Sequence, residues 1–291
     1  MKPAPFKYVA PTSTAEALDF IAENGEDAKV LAGGQSLIPT MNFRLAQPAV
    51  LIDLNPVSEL AYIREGKRGC LQIGAMTRHT DVERSPLVAT HSPLLTETMP
   101  FIAHPQIRNR GTIGGSIAHA DPAAELPAVM AALNARFKLQ NRRGERWVNA
   151  TDFFTGMFAT AMEADELLTE IEIPPMPDRC GWAFTEVARR HGDFALVGIS
   201  AIIEFDRKKR CKEARIALFS VGEGPVLAQR AARELQGESF SEALIQSAAE
   251  TCANEDIDPG GDIHASADYR RHLAKVLTRK ALAQAFGRVR S

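Results

Sequence analysis

Four cysteines are all that this chain of 291 residues contains. Cys70, Cys180, Cys211 and Cys252 lie far apart and form no CxxC pair. That spacing argues against a zinc site or a ferredoxin-like cluster, so no metal is expected on this chain. Reduced thiols in a cytoplasmic protein are the simplest account. Charge of one sign is also missing, since the net charge is −2. Nothing in it draws the chain to nucleic acid or an anionic membrane. No apolar run approaches the length of a bilayer span. The start, Met1-Lys2-Pro3-Ala4-Pro5-Phe6, lacks the apolar core of a secretory signal. Four motifs are absent: G-x-G-x-x-G, G-x-x-x-x-G-K-[ST], G-x-S-x-G and H-E-x-x-H. A Rossmann dehydrogenase and a P-loop NTPase therefore fit poorly, and hydrolytic chemistry finds no signature. No carboxylate pair stands out as an acid/base couple, and no catalytic residue is assigned.

What is present is an ordinary apolar fraction, 45%, with 24% charged residues. That suffices for two modest domains or one large one. One stretch organises the rest: Ile107-Arg108-Asn109-Arg110-Gly111-Thr112-Ile113-Gly114-Gly115-Ser116. Gly114 and Gly115 lack β-carbons, so the backbone can take positive φ and let a ligand approach its N–H groups. Such turns gather N–H donors into an anion-binding concavity. Arg108 and Arg110 can add charge-assisted bonds to a phosphate. The same residues also suit a plain tight turn flanked by solvated arginines. A second stretch, Val30-Leu31-Ala32-Gly33-Gly34-Gln35-Ser36-Leu37, repeats the pattern of apolar run and Gly-Gly turn. Two such loops can hold a pyrophosphate from both sides, as a dinucleotide such as FAD requires.

Residues 5–60 read as β-α-β units. Ser13-Thr14-Ala15-Glu16 fits a capping box, Leu18, Ile21 and Ala22 follow helical spacing, and Gly25 is a stop. Strands are expected at 29–32, 49–54 and 70–75. Residues 86–102 are helical in pattern, interrupted by Pro93 and Pro100. Asp121 caps a helix with Pro122 in its first turn, running through Leu133 and carrying Glu125 near its N-terminus. His104 and His119 read as hydrogen-bonded structural residues. Residues 137–148 form a hairpin, and 166–173 a strand closed by Pro174-Pro175, which marks a domain boundary. Beyond it, strands at 182–190, 195–205 and 214–221 suggest an antiparallel sheet, followed by helices at 226–235, 241–253 and 267–286. The basic turn Arg207-Lys208-Lys209-Arg210 reads as a hairpin tip. The fold class is α+β.

Ala32-Gly33-Gly34-Gln35-Ser36 and Thr112-Ile113-Gly114-Gly115-Ser116, with Pro105-Gln106-Ile107 and Gly192-Asp193-Phe194-Ala195, carry a family resemblance. The chain resembles the FAD-binding medium subunit of the molybdenum hydroxylases, the xanthine dehydrogenase and aerobic carbon monoxide dehydrogenase group, over nearly its whole length. The resemblance implies an FAD domain of the p-cresol methylhydroxylase type over residues 1–176, made of two α/β subdomains. A flavoprotein C-terminal domain of antiparallel sheet and helices follows over 177–291, with FAD extended between them. It also implies the contact residues: Ala32, Gly33, Gly34, Gln35, Ser36 and Leu37 on one loop; Ile107, Thr112, Ile113, Gly114, Gly115 and Ser116 on the other. Glu125 matches an acidic position at the cofactor's sugar region, and as a plain alternative it complements the helix dipole. Ile102 and Leu168 match apolar positions beside FAD, and Phe194 a position near the flavin ring. Thr185 stands where xanthine dehydrogenases have a lysine, and Phe194 lacks a tyrosine's hydroxyl, so those two roles do not carry over. Arg189 or Arg190 is an alternative source of positive charge. A cysteine-rich insertion found in one branch is absent.

The implied activity is electron transfer: [2Fe–2S] clusters on a small partner feed FAD here, and a molybdopterin cofactor on a large partner hydroxylates the substrate. A dimer of heterotrimers is the expected assembly. The alternatives are a stand-alone FAD oxidoreductase of the same superfamily, and an assembly protein without flavin.

Overall fold

The computed structural model describes residues 2–288. A parallel three-stranded sheet comes first: β1 (Lys7–Val9), α1 (Thr14–Asn24), β2 (Ala28–Leu31), α2 (Leu37–Asn42) and β3 (Val50–Asp53), with strand order β1-β3-β2. The Ser13 hydroxyl accepts from the Glu16 N–H and caps α1, as the sequence predicts. Glu16 reaches back to the N–H of Thr12, one residue outside the expected capping box. Ala17 and Ile21 of α1 pack with Ile52 and Leu54 in a small core.

A five-stranded sheet follows. It comprises β4 (Ile63–Glu65), β5 (Leu71–Gly74), β6 (Arg136–Asn141), β7 (Gly144–Asn149) and, last in sequence, β10 (Leu167–Ile173), ordered β4-β5-β10-β6-β7. Between β5 and β6 lie six helices: α3 (His79–Arg84), α4 (Pro86–His91), α5 (Pro93–Thr98), α6 (Pro105–Arg108), α7 (Ile113–His119) and α8 (Glu125–Ala132). Proline opens α4, α5 and α6, because its missing N–H costs nothing in a first turn. One helix over 86–102 thus becomes several short ones. α9 (Ala150–Phe153) and the small pair β8 (Phe154–Gly156) and β9 (Ala159–Thr160) complete this region.

The C-terminal sheet is antiparallel, β11 (Cys180–Ala188), β12 (Ala195–Phe205), β13 (Cys211–Phe219) and β14 (Val226–Leu227), followed by α10 (Gln229–Leu235), α11 (Glu242–Thr251) and α12 (Ala267–Gly287). β13 starts three residues earlier than expected, and 226–227 pair with β13 as a strand instead of opening a helix. Strand pleating sorts the two faces. Trp182, Phe184, Ile202, Ala217 and Phe219 join the core of the N-terminal region, while Ala183, Val197, Ile199 and Leu218 pack under α10–α12. The sheet is therefore shared between two cores. Among the described residues no helix is long and apolar enough to cross a membrane.

Candidate cofactor site at the two glycine loops

The loop after β2 hangs from the parallel sheet, and there Gly34 takes φ +73°, in the left-handed region that favours glycine. Gln35 Nε2 donates to the Gly33 carbonyl at 3.0 Å, holding the turn. Among the described residues, the backbone N–H groups of Gly33, Gly34, Gln35 and Ser36 donate to nothing in the chain. Four consecutive donors are thus left for an external acceptor.

The second loop works differently from the sequence expectation. Gly114 and Gly115 do not take positive φ; both are helical residues of α7, which Thr112 caps by accepting from the Gly115 N–H at 3.1 Å. The Ile113 and Gly114 N–H groups are already spent on the carbonyls of Thr77 (3.0 Å) and Ala75 (2.9 Å). Gly114 is required by close packing, since a β-carbon there would lie 2.5 Å from Ala75 Cβ. The two loops touch: a β-carbon on Gly115 would stand 3.3 Å from Ala32 Cβ. The free donors come from the first loop, and the second packs against it with the N–H groups of Ile113, Gly114 and Gly115 already used.

Arg108 is a structural residue. It is buried, pairs with Glu83 at 2.8 Å, and donates to the carbonyls of Ile102 (3.0 Å) and Ala103 (3.2 Å). Ile107 anchors the loop by accepting the Gly111 N–H at 2.7 Å. Beneath the loop lies His79, whose ring nitrogens are buried without hydrogen-bond partners and whose pKa burial pushes down to about 4. A buried neutral imidazole so placed was not foreseen from the sequence. His104 and His119 make ring contacts, with His191 (6.3 Å) and Phe158 (5.1 Å), in place of the expected hydrogen bonds.

Glu125 opens α8 and is 6% exposed. The helix starts there and not at Pro122; Asp121 instead accepts from the Ala123 N–H at 2.9 Å, turning the chain into α8. Among the described residues no side chain donates to Glu125, whose carboxyl is met by its own backbone N–H. Burial foremost, then the charge of Asp121, raises its pKa to about 7. Glu186 of β11 follows Trp182 and Phe184 on the face turned toward the N-terminal region. Its Oε2 is buried without a partner, and burial, then the charge of Glu125, raises its pKa to about 8. The signal for Glu186 was an acid inside an otherwise apolar strand face. The Glu186 carboxyl, buried and with one oxygen unpartnered, suits a ligand that brings a hydroxyl donor.

The remaining predicted residues are dispersed. Ile102 and Leu168 are buried in the shared core, with the Phe101 ring tilted against Phe184 at 5.0 Å between centroids. Thr185 alternates with Phe184 and falls on the strand face of Ala183 and Val187, toward α10–α12. Phe194 is 64% exposed, on the turn between β11 and β12. Among the described residues no His/Cys/Asp/Glu cluster could hold a metal, and no two cysteines are joined by a disulfide.

Four amide donors free among the described residues and a second glycine loop packed against them fit a phosphate-bearing ligand such as FAD. The comparisons agree. Residues 4–176 match the family described as the FAD binding domain in molybdopterin dehydrogenase, and residues 182–285 the CO dehydrogenase flavoprotein C-terminal domain. The chain is 41% identical over 290 residues to the 6-hydroxypseudooxynicotine dehydrogenase complex subunit alpha of Paenarthrobacter nicotinovorans, covering 100% of this chain and 97% of that one. Its fold superposes on carbon monoxide dehydrogenase of Hydrogenophaga pseudoflava with TM-score 0.96 and 39% identity, covering all of both chains. On quinoline 2-oxidoreductase of Pseudomonas putida 86 it superposes with TM-score 0.93 and 42% identity, covering 99% of each. On this evidence the chain belongs to the FAD-binding medium subunits of the molybdenum hydroxylases, oxidoreductase complexes of the carbon monoxide and xanthine dehydrogenase kind.

Proposed function

We propose that this chain is the electron-transfer flavoprotein of its complex, taking electrons from [2Fe–2S] clusters of a small partner and delivering them to an external acceptor. Hydroxylation takes place on a large molybdenum-bearing partner, and the assembly is a dimer of heterotrimers in the cytoplasm. The observation that carries this reading is the row of N–H groups at Gly33, Gly34, Gln35 and Ser36 that are free among the described residues, to which Thr112 and Ser116 of the second loop would add hydroxyl contacts. Those donors would hold the pyrophosphate, with Ala32 and Leu37 flanking them. On the second loop Ile107 anchors the turn, and Ile113, Gly114 and Gly115 shape its wall. Glu125 would accept hydroxyl groups of the sugar. Ile102 and Leu168 supply the apolar surroundings, and Phe194 stands toward the ring. We keep 1–176 and 177–291 as the functional division, with the cofactor between. Thr185 has the weakest claim to a contact, given its strand face.

Bound FAD supplies the redox chemistry, accepting electrons from one side and giving them up on the other. The chain's part is to bind it, orient it and keep its surroundings dry. Among the described residues no His/Cys/Asp/Glu cluster could hold a metal, which supports an electron donor on another chain. The purified chain should be yellow and bind one FAD, yet oxidise no hydroxylase substrate. Co-expression with the two neighbouring chains should restore substrate-dependent bleaching of the flavin absorbance under anaerobic stopped flow. If substrate bleaches the isolated chain as fast as the assembly, the relay is wrong and a stand-alone oxidoreductase replaces it.

A further inference from the structure

The two glycine loops belong to different sheets, so something must fix their separation. One side chain reaches both. Arg78, shortly after β5, donates through one terminal nitrogen to the Arg110 carbonyl on the second loop. Its other terminal nitrogen donates to Asn55 Oδ1 at 2.6 Å. Asn55 Nδ2 in turn donates at 3.1 Å to the Ala32 carbonyl on the first loop. Asn55 is held in place by Asp53, whose Oδ1 accepts its backbone N–H at 2.8 Å, and Asp53 Oδ2 accepts the Tyr8 hydroxyl at 2.6 Å. The backbone adds a tie, from the His79 N–H to the Gly111 carbonyl at 3.0 Å.

This arrangement has two physical consequences. It engages one carbonyl from each loop, groups that would repel a phosphate if they faced it. It also places a cation at the junction: Arg78 is half-buried and, among the described residues, neither it nor Arg110 is ion-paired. Arg110 opposes the charge of Arg78 while Asp81 and Asp53 favour it, so the junction holds charges of both signs around the guanidinium.

We infer that Arg78, acting through Asn55, is the positioning residue that sets the spacing of the two glycine loops and with it the affinity for a dinucleotide pyrophosphate. The inference rests on the FAD reading above. It explains how donors from one sheet and a wall from another are presented at a fixed distance before any ligand arrives, which lowers the ordering cost of binding.

The test uses the full-length chain stripped of flavin and titrated with FAD. Arg78→Met should raise the Kd at least tenfold and flatten its salt dependence. Arg78→Lys, which keeps the charge but cannot bridge two acceptors, should recover part of the loss. Asn55→Ala should raise the Kd severalfold, and the double variant should be no worse than Arg78→Met alone, because one clamp is broken only once. A residue that merely supports the fold would lower the melting temperature of the flavin-free chain and leave the salt dependence unchanged. If Arg78→Met does not fold, Arg78→Lys and Asn55→Ala give the same readout. Unchanged FAD affinity in the folded variants overturns the clamp alone. A wild-type chain that takes up no FAD overturns the cofactor reading as well.

Discussion

Gly33 and Gly111 stand so close that a β-carbon on Gly33 would lie 2.6 Å from the α-carbon of Gly111. The first glycine of one loop is therefore set by the backbone of the other. Gly114, by contrast, is set by Ala75 of its own sheet. The two glycines should fail in different ways.

Gly33→Ala should push the loops apart and lower FAD affinity at least tenfold, with a modest change in the melting temperature of the flavin-free chain. Gly114→Ala crowds a packed helix–strand contact and should cost about 1–3 kcal/mol of stability without ligand, the usual scale of overpacking. Thermal melts of both flavin-free variants, beside FAD titrations, separate the two. Equal loss of stability in both would remove the distinction.

Arg108→Gln should act on stability and not on FAD contact. The substitution strands Glu83, a quarter exposed, and the carbonyls of Ile102 and Ala103. A partly buried pair broken on one side should cost about 2–3 kcal/mol. Urea unfolding measures it. The FAD dissociation constant of the folded variant should stay within about threefold of wild type, because no donor of the first loop has moved. A larger rise would place the guanidinium on the phosphates.

The carboxyls of Glu125 and Glu186 give the flavin-free chain a pH dependence of definite sign. Both hold their protons higher in the folded chain, to about 7 and about 8, than the 4.5 of an ordinary glutamate. Unfolded chain releases these protons first, so folding takes up protons between about pH 5 and 8 and stability falls as pH rises through that window. For Glu125 the shift corresponds to a loss on the order of 3 kcal/mol. Glu186→Gln should flatten the slope and raise the melting temperature at pH 8, while leaving it unchanged at pH 5. A wild-type melting temperature level from pH 6.5 to 8, above the range in which buried His79 opposes the trend, would show that the two acids are not buried together.

Much of this protein was legible in its sequence, because local signals decide local structure. Ser13 and Gly25 bound α1, the nearly continuous apolar run of 195–205 makes β12, and the paired Gly-Gly loops with the Gly192-Asp193-Phe194-Ala195 turn point to the family. Residue spacing could not say which N–H groups of those loops are free. That depends on neighbours far along the chain: the Ala75 and Thr77 carbonyls take donors of the second loop, while among the described residues nothing takes those of Gly33 to Ser36. The start of α8 at Glu125 instead of Pro122 was likewise decided by packing, with all eight of its residues buried against the shared core. Arg108 and Arg78 make the same point together. Both are arginines near a glycine loop, and sequence singled out the one inside the motif. Tertiary structure paired that one with Glu83 and gave Arg78 both loops, because hydrogen bonds are spent on whichever partners folding brings within reach, whatever their distance in sequence.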